Sequence, residues 1–479
     1  MPMVEALIVS EGPRGHEYLP ETRQVMANIR VGIDKSALHP LKAGEGFILF
    51  DTNRVKLYRC GEVEKALLEQ AALGSADYAQ AVTDFGQEGI LRGLERLSRL
   101  NGLSESLAQC SGYAGSLGDR LSQLWLHVCH HCNLRCRYCY AQDGSYGQGS
   151  SFMSEETARQ GIDLLLQTAE PYDHLAIIFG GGEPLLNFPT IESAVSHALH
   201  RQQSSGVHFS FRILTNGTIM TERILEFLSK HQISLQISID GPREIHDSNR
   251  RTTEGKGSFE LIEGTLRLLQ SRDFKSFSIR STLCHQHCDP ANVVPFLEKK
   301  GIREIALRPV MTDPRNSLRL SDEDIRAITD YYEQVKHEIV EDLRNDPRSP
   351  VPEAFAPYLQ KLQLGLKAKR HCGAGRSMLV LTPQGEFYPC PSLVGNAGFR
   401  AGTLAEGLDQ DALAPFRNLN VDTKPVCKEC WARNLCGGGC VSLAYDINGD
   451  LLLPDPVECS LTKARIRGAI AIYAHMSGL

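Results

Sequence analysis

From residue 120 to about 345 the chain alternates short apolar runs with longer stretches whose apolar positions recur at helical spacing. The runs LWLHV (124–128), LAIIF (175–179), FSFRIL (209–214), SLQISI (234–239), FSIRSTL (277–283) and EIALRPV (304–310) have the length and composition of buried strands. Between them, SEETARQGIDLLLQTA begins at an N-cap residue, Ser154, and TERILEFLSKHQ begins at another, Thr221. Six such βα repeats predict an α/β fold of parallel strands joined by right-handed crossovers. Periodicity alone leaves two arrangements open, a partial barrel and a doubly wound sheet. The charged helical stretch LSDEDIRAITDYYEQVKHEIVEDLR fits the solvated outer face of a barrel helix.

The flanks have other patterns. In residues 1–115, EGFILFDTNRVKLYRC predicts two strands around the turn Asp51-Thr52-Asn53. Apolar positions at helical spacing follow in GEVEKALLEQAALG and in GILRGLERLSRLNGL. A hairpin followed by helices suggests a winged-helix-like module, and no concentrated Lys/Arg stripe marks it for nucleic acid. Residues 116–345 form the barrel unit. Residues 346–370, with DPRSPVPEAFAP, are rich in proline and are expected to be a linker. A cysteine-rich domain is expected over 371–479.

Composition narrows the function by exclusion. With 479 residues the length prior is roughly three domains. A net charge of −6 gives no reason to expect a nucleic-acid or acidic-membrane partner. No apolar run approaches the roughly 18 residues of a membrane span. The start, MPMVEALIVSEGPRGHEYLP, lacks the pattern of a secretory signal, so a cytoplasmic protein is expected. Against that background 15 cysteines are many, because clustered thiols in a reducing compartment more often bind metal or do chemistry than form disulfides. Cys60, Cys110, Cys284 and Cys288 are scattered; the others fall within 129–139 and 372–459.

The predicted strands end in chemically distinctive loops. CHHCNLRC follows the first, GGGEPLL the second and TNGT the third, and SIDG closes the fourth. In parallel α/β barrels such loops build the active site at one mouth. Cys132, Cys136 and Cys139 read C-x3-C-x2-C. Three thiolates on one loop can hold three irons of a [4Fe–4S] cube and leave the fourth open, whereas electron-transfer clusters use four cysteines. C-x3-C-x-aromatic-C after a first strand, followed by GGEP, resembles the radical S-adenosylmethionine (SAM) superfamily. The resemblance implies a partial (β/α)6 barrel, with the open iron chelating SAM and a 5′-deoxyadenosyl radical abstracting hydrogen from substrate. It also implies SAM contacts: Tyr138 beside the adenine, the Gly181-Gly182-Glu183 turn at the methionine amino group, Ser238 and Arg250 at the ribose and carboxylate, and Leu307 on the sixth strand. Cys129, His127, His130 and His131 are expected to be strand-end and loop residues rather than ligands. CHQHC (284–288) resembles half a zinc site without a matching half and is expected to be structural.

In the second cysteine region, Cys372 and Cys390 flank Gly385, CKECWARNLCGGGC supplies Cys427, Cys430, Cys436 and Cys440, and Cys459 follows. This seven-cysteine register resembles the SPASM extension of radical SAM peptide modifiers. By that resemblance one auxiliary [4Fe–4S] cluster takes Cys427, Cys430, Cys436 and Cys459. The other takes Cys372, Cys390 and Cys440, with Met378 where some relatives carry a further cysteine. Three clusters in all are thus implied.

Within the superfamily, formylglycine-forming sulfatase maturases carry a catalytic aspartate directly after the second SPASM cysteine, where this chain has Pro391. More of the chain resembles thioether-forming peptide maturases of the SCIFF and quinohemoprotein amine dehydrogenase types. That likeness implies a Cys-containing ribosomal precursor peptide or protein as substrate, gripped by the amino-terminal module through β-augmentation. It also implies an electron donor such as flavodoxin or ferredoxin, and auxiliary clusters that accept the surplus electron. Two alternatives stand beside it: another radical peptide modification (carbon–carbon crosslinking, epimerisation or formylglycine formation), and an iron–sulfur electron carrier or redox regulator. No acid–base residue stands out.

Overall fold

The computed structural model describes residues 38–43, 46–72 and 120–479 apart from 172, 288 and 313–314, with a few positions between 84 and 97. All six expected strands form. They are β4 (Gln123–Cys129), β6 (His174–Gly181), β7 (His208–Thr215), β8 (Ser234–Ser238), β10 (Phe277–Leu283) and β11 (Ile305–Pro309). Ahead of them lie β1 (Leu38–Ala43), β2 (Gly46–Asp51) and β3 (Lys56–Cys60), and two short strands, β5 (Leu134–Cys136) and β9 (Arg250–Thr252), sit within loops. After the helices come β12 (Met378–Leu381) and β13 (Phe387–Tyr388).

The main sheet runs β11-β10-β8-β7-β6-β4-β12-β13, parallel throughout except for the last pair. Strands of the six βα repeats lie in chain order with no reversal. A doubly wound sheet reverses direction at a switch point, so this order selects the singly wound, barrel-type arrangement. Register shows which face is which. Leu124, Ile177, Phe211, Ile237 and Ile279 pack in the main core under the helices. Trp125, Ile178, Arg212, Gln236, Ser238, Arg280 and Ala306 alternate with them and share the other, concave face. The helices start where their caps predict: Ser154 accepts from Thr157 N in the helix Glu155–Gln167, and Thr221 from Ile224 N in Glu222–Lys230.

Two features lay outside the sequence pattern. β12 pairs with β4, so the cysteine-rich region extends the barrel sheet beside the strand that leads into the first cysteine loop. Within 346–370, Ala356–Leu364 is a helix, and it packs on the terminal helix Pro456–Met476. Its apolar Tyr358, Leu359 and Leu362 are buried there, which proline content could not foretell.

At the amino-terminal side, the expected hairpin is β2–β3, joined by β1 into an antiparallel three-stranded sheet, with the helix Glu62–Ala72 following. The second helical pattern, from Gly89, falls largely outside the described residues. The hairpin turn docks on the cysteine-rich region: Asn434 Nδ2 donates to Thr52 O (2.9 Å), Arg433 Nη2 to Asn53 Oδ1 (2.7 Å), and Phe50 meets Trp431 edge-on. Among the described residues no helix is long and apolar enough to cross a membrane.

Candidate active site

The first cysteine loop is pinned from three sides at the carboxyl mouth of the sheet. Below, β5 pairs with β9, setting Cys136 opposite Arg250. Beside it, the Gly181-Gly182-Glu183 turn closes onto the loop backbone, as Gly182 N donates to Cys129 O and Glu183 N to His131 O, both at 2.8 Å. A Cβ on Gly182 would lie 2.1 Å from His131 O, and Gly181 has φ +113° with Cys129 O only 2.3 Å from its would-be Cβ. Glycine is therefore a steric requirement at both positions. On the third side, the turn 142–146 holds Gln142, Asp143 and Tyr146 at positive φ, conformations that cost energy for residues with side chains.

Glu183 is fully buried and ties this turn to the next strand. Its Oε1 accepts from Leu185 N (3.0 Å) and Thr215 Oγ1 (2.8 Å), and its Oε2 from Asn216 N (2.7 Å). Burial pushes the carboxyl up to about 7 while these donors pull it down. Its side chain is thus consumed in holding the scaffold.

A second buried carboxylate organises the opposite side. Asp240, from the SIDG segment, accepts from Tyr138 OH (2.6 Å), Arg250 Nε (3.1 Å) and Thr282 N (3.2 Å). The Arg250 guanidinium lies 5.3 Å from the Tyr138 ring centroid, a cation–π distance. Tyr138, Arg250 and the cysteine loop are thereby brought together. Ser238 is half-buried on the concave face just before Asp240. Leu307 is not brought to this group: its register partner is Ser281, on the helix-facing side, and it packs in the main core.

Burial pushes Cys132 up to about 12 and Cys136 up to about 11, so neither is a nucleophilic thiolate on its own. Yet N–H groups already face the sulfurs: Leu134 N (3.4 Å) and Asn216 Nδ2 (3.7 Å) at Cys132, and Arg250 Nη1 (3.9 Å) at Cys136. Such donors serve sulfurs that are charged, as in iron ligation. Cys129 instead donates to His131 O and Glu183 O, both at 3.1 Å, and is buried. His127 and His130 are buried with their ring nitrogens 3.3 Å apart, and both pack on Tyr146. Burial lowers both, His130 to about 4, which favours their neutral forms. Cys284 packs with Val310 and Leu318, while Cys288 lies outside the described residues.

By their mutual electrostatic influence the cysteines of the second region fall into two groups, though among the described residues no set of three or more His, Cys, Asp or Glu is placed to hold a metal ion. Cys427, Cys436 and Cys459 influence one another electrostatically, with Cys430 beside Cys427 and Cys436. Cys390 similarly faces Cys440 and Cys372. Gly437, Gly438 and Gly439 all have positive φ, and this left-handed stretch carries the chain from Cys436 in one group to Cys440 in the other. Lys424, buried, donates to Gly438 O at 2.7 Å and fixes the turn. Ser442 Oγ lies 3.2 Å from Cys440 Sγ, and Met378 belongs to the same small apolar cluster as Cys390.

Asp240, Asn216 and Tyr146 had no assigned role in the sequence. The first two were signalled by SIDG and TNGT at strand ends. Tyr146, whose OH donates to Gly181 O at 3.2 Å, carried no signal.

The structure thus brings a three-cysteine loop and a Gly-Gly-Glu turn together at the mouth of a singly wound parallel sheet. Residues 126–287 match the radical SAM superfamily, a class of enzymes that use SAM and a [4Fe–4S] cluster. The cysteine-type anaerobic sulfatase-maturating enzyme of Clostridium perfringens is 24% identical over 343 residues, 64% of this chain and 85% of that protein. The radical SAM cyclopropyl synthase TigE of Paramaledivibacter caminithermalis is 24% identical over 379 residues, 74% of this chain and 75% of that one. Native anSMEcpe, solved with AdoMet and the Kp18Cys peptide, shares the fold with TM-score 0.63 and 21% identity, over 74% of this chain and 99% of its own.

Proposed function

We propose that the chain modifies a ribosomally made, Cys-containing peptide or protein, joining the cysteine sulfur to a carbon of another residue as a thioether. The observation that carries this is the three-cysteine loop at the mouth of the parallel sheet, beside a second cysteine-rich region that joins the same sheet through β12 next to β4. Cys132, Cys136 and Cys139 would hold the SAM-binding cluster, Cys427, Cys430, Cys436 and Cys459 one auxiliary cluster, and Cys372, Cys390 and Cys440 the other. When bound, these groups supply a hydrogen-abstracting carbon radical and an acceptor for the surplus electron.

The chain's own residues position and shield. Glu183 and the glycines before it hold the cysteine loop against the sheet. Asp240 orients Tyr138 and Arg250, which together with Ser238 form the SAM pocket. The buried His127, His130 and Tyr146 pack beneath the loop and keep water from it. The amino-terminal sheet, docked through Thr52 and Asn53, would present the peptide from the side of the auxiliary groups. Peptide chemistry is supported by relatives named as sulfatase-maturating enzymes and by the Kp18Cys peptide held by anSMEcpe. Formylglycine formation is disfavoured because Pro391, opening the short turn Pro391–Leu393, follows Cys390 where that chemistry needs an acid.

The test is mass spectrometry with thiol alkylation of Cys-containing peptides encoded beside the gene, each incubated anaerobically with reconstituted enzyme, SAM and reductant. The expected product has lost two hydrogens per bond and the matching number of alkylatable thiols. A changed peptide with all thiols still free would eliminate the thioether.

A further inference from the structure

Two arginines around the barrel mouth have a carboxylate of their own. Arg250 is paired with Asp240 at 3.1 Å, and Arg308 meets Glu353 through Nη2 at 2.7 Å. Arg280 differs. It lies midway along β10, in register with Ser238 on β8 and with Ala306 on β11. Its chain neighbours Ile279 and Ser281 are fully buried, and Ile279 packs in the core under the helices. Alternation therefore sets Arg280 on the concave face, one pleat below Asp240. Among the described residues no carboxylate pairs with it. The charged and titratable groups that it feels most are Tyr140, Arg308, Arg250 and Tyr138, two phenols and two further cations. Burial lowers its pKa, and the neighbouring arginines add to that. A desolvated cation among cations is costly unless an anion joins it. Tyr140, exposed to 45% beside Cys139, leaves the approach open, and the small Ala306 leaves room alongside.

We propose that Arg280 binds an acidic group that the peptide substrate carries into the barrel. This rests on the radical SAM peptide-modification proposal for the mouth. A planar guanidinium grips a carboxylate by two parallel N–H···O bonds, which positions as well as attracts. Located level with Ser238, such a grip would fix the reacting carbon of an acidic peptide relative to SAM.

The experiment compares wild type, Arg280→Lys and Arg280→Gln after reconstitution, with iron content and the electron paramagnetic resonance spectrum confirming that each is loaded. One arm measures equilibrium binding of SAM and of decarboxylated SAM. The other measures KM for the Cys-containing peptides above, made with carboxylates free and with Asp, Glu and the C-terminus as amides. The proposal expects Arg280→Gln to raise KM for the free-acid peptide by about tenfold and to leave the amide peptide where it was, with Lys recovering part of the loss. Arg280→Gln erasing wild type's preference for SAM over its decarboxylated form would assign the anion to SAM and overturn the proposal. Should no peptide react with wild type, the peptide-modification proposal fails and this one falls with it. Arg280→Gln within about twofold of wild type in every measurement overturns the proposal.

Discussion

Gly182→Ala is the sharpest probe of how the cysteine loop is held. The added methyl would sit 2.1 Å from His131 O and 2.5 Å from His131 C, both backbone atoms, where real Cβ contacts stay above 3.0 Å. His131 must retreat by about 1 Å, the difference between those distances. The two 2.8 Å bonds that clamp the loop, Gly182 N to Cys129 O and Glu183 N to His131 O, cannot survive that shift intact. Their loss costs about 1 kcal/mol each, a modest sum for the fold. For chemistry the displacement matters more, because Cys132 follows His131 directly and misplacing reacting groups by about 1 Å costs roughly 100-fold. The expected outcome is a folded protein with diminished iron at the first site and 5′-deoxyadenosine formation down about 100-fold. Iron analysis, electron paramagnetic resonance and chromatography of SAM products check it. Gly264→Ala is the control, since nothing lies within 4 Å of its would-be Cβ in the helix Phe259–Ser271; it should stabilise by about 0.5–1 kcal/mol. If Gly182→Ala loads iron and cleaves SAM within twofold of wild type, the clamp does not position the loop.

Other expectations follow from the same geometry. Cys132→Ala, Cys136→Ala or Cys139→Ala abolishes SAM cleavage, whereas Cys390→Ala or Cys440→Ala keeps it and loses peptide product, as chromatography and mass spectrometry would separate; retained cleavage in any of the first three contradicts the site. Asp240→Asn removes the counter-charge of Arg250 and a partner of Tyr138, so SAM binding by equilibrium dialysis weakens about tenfold, in line with about 1.5–3 kcal/mol for hydrogen bonds to charged groups; unaltered binding would show that Asp240 does not orient the pocket. Glu183 binds its proton more tightly folded than unfolded, since burial raises it from 4.5 to about 7. Its contribution is therefore complete at low pH and is lost as pH rises through that window. The unfolding midpoint of the metal-free protein should fall more steeply between pH 4.5 and 7 in wild type than in Glu183→Gln, and equal slopes would refute this.

Much of the barrel was legible because each strand is a short apolar run and each loop after it carries a polar signature. The barrel itself was not, since the period of a strand does not reveal its neighbours; only the unreversed order β11 to β4 decides it. Cys132, Cys136 and Cys139 were singled out by their spacing and Tyr138 and Arg250 by motif likeness, and the structure brings the last two together on one carboxylate. Their common partner Asp240 was visible only as an acidic residue at a strand end, because a hydrogen-bond hub is made by residues 42 positions apart, as with Thr282 N. Leu307 illustrates the reverse: position on the right strand does not specify the face, and its register with Ser281 turns it to the helices. The insertion of β12 beside β4 was hidden because MLVL is too short to distinguish from any buried apolar segment.

The central claim is that a peptide carbon gives up a hydrogen at this mouth. Its most direct test is to feed the reconstituted enzyme a peptide deuterated at carbon and weigh the 5′-deoxyadenosine formed. Deuterium carried into that product, in step with loss of alkylatable thiol, is the predicted result. Deoxyadenosine free of label, with every Cys-containing candidate peptide, would contradict the account.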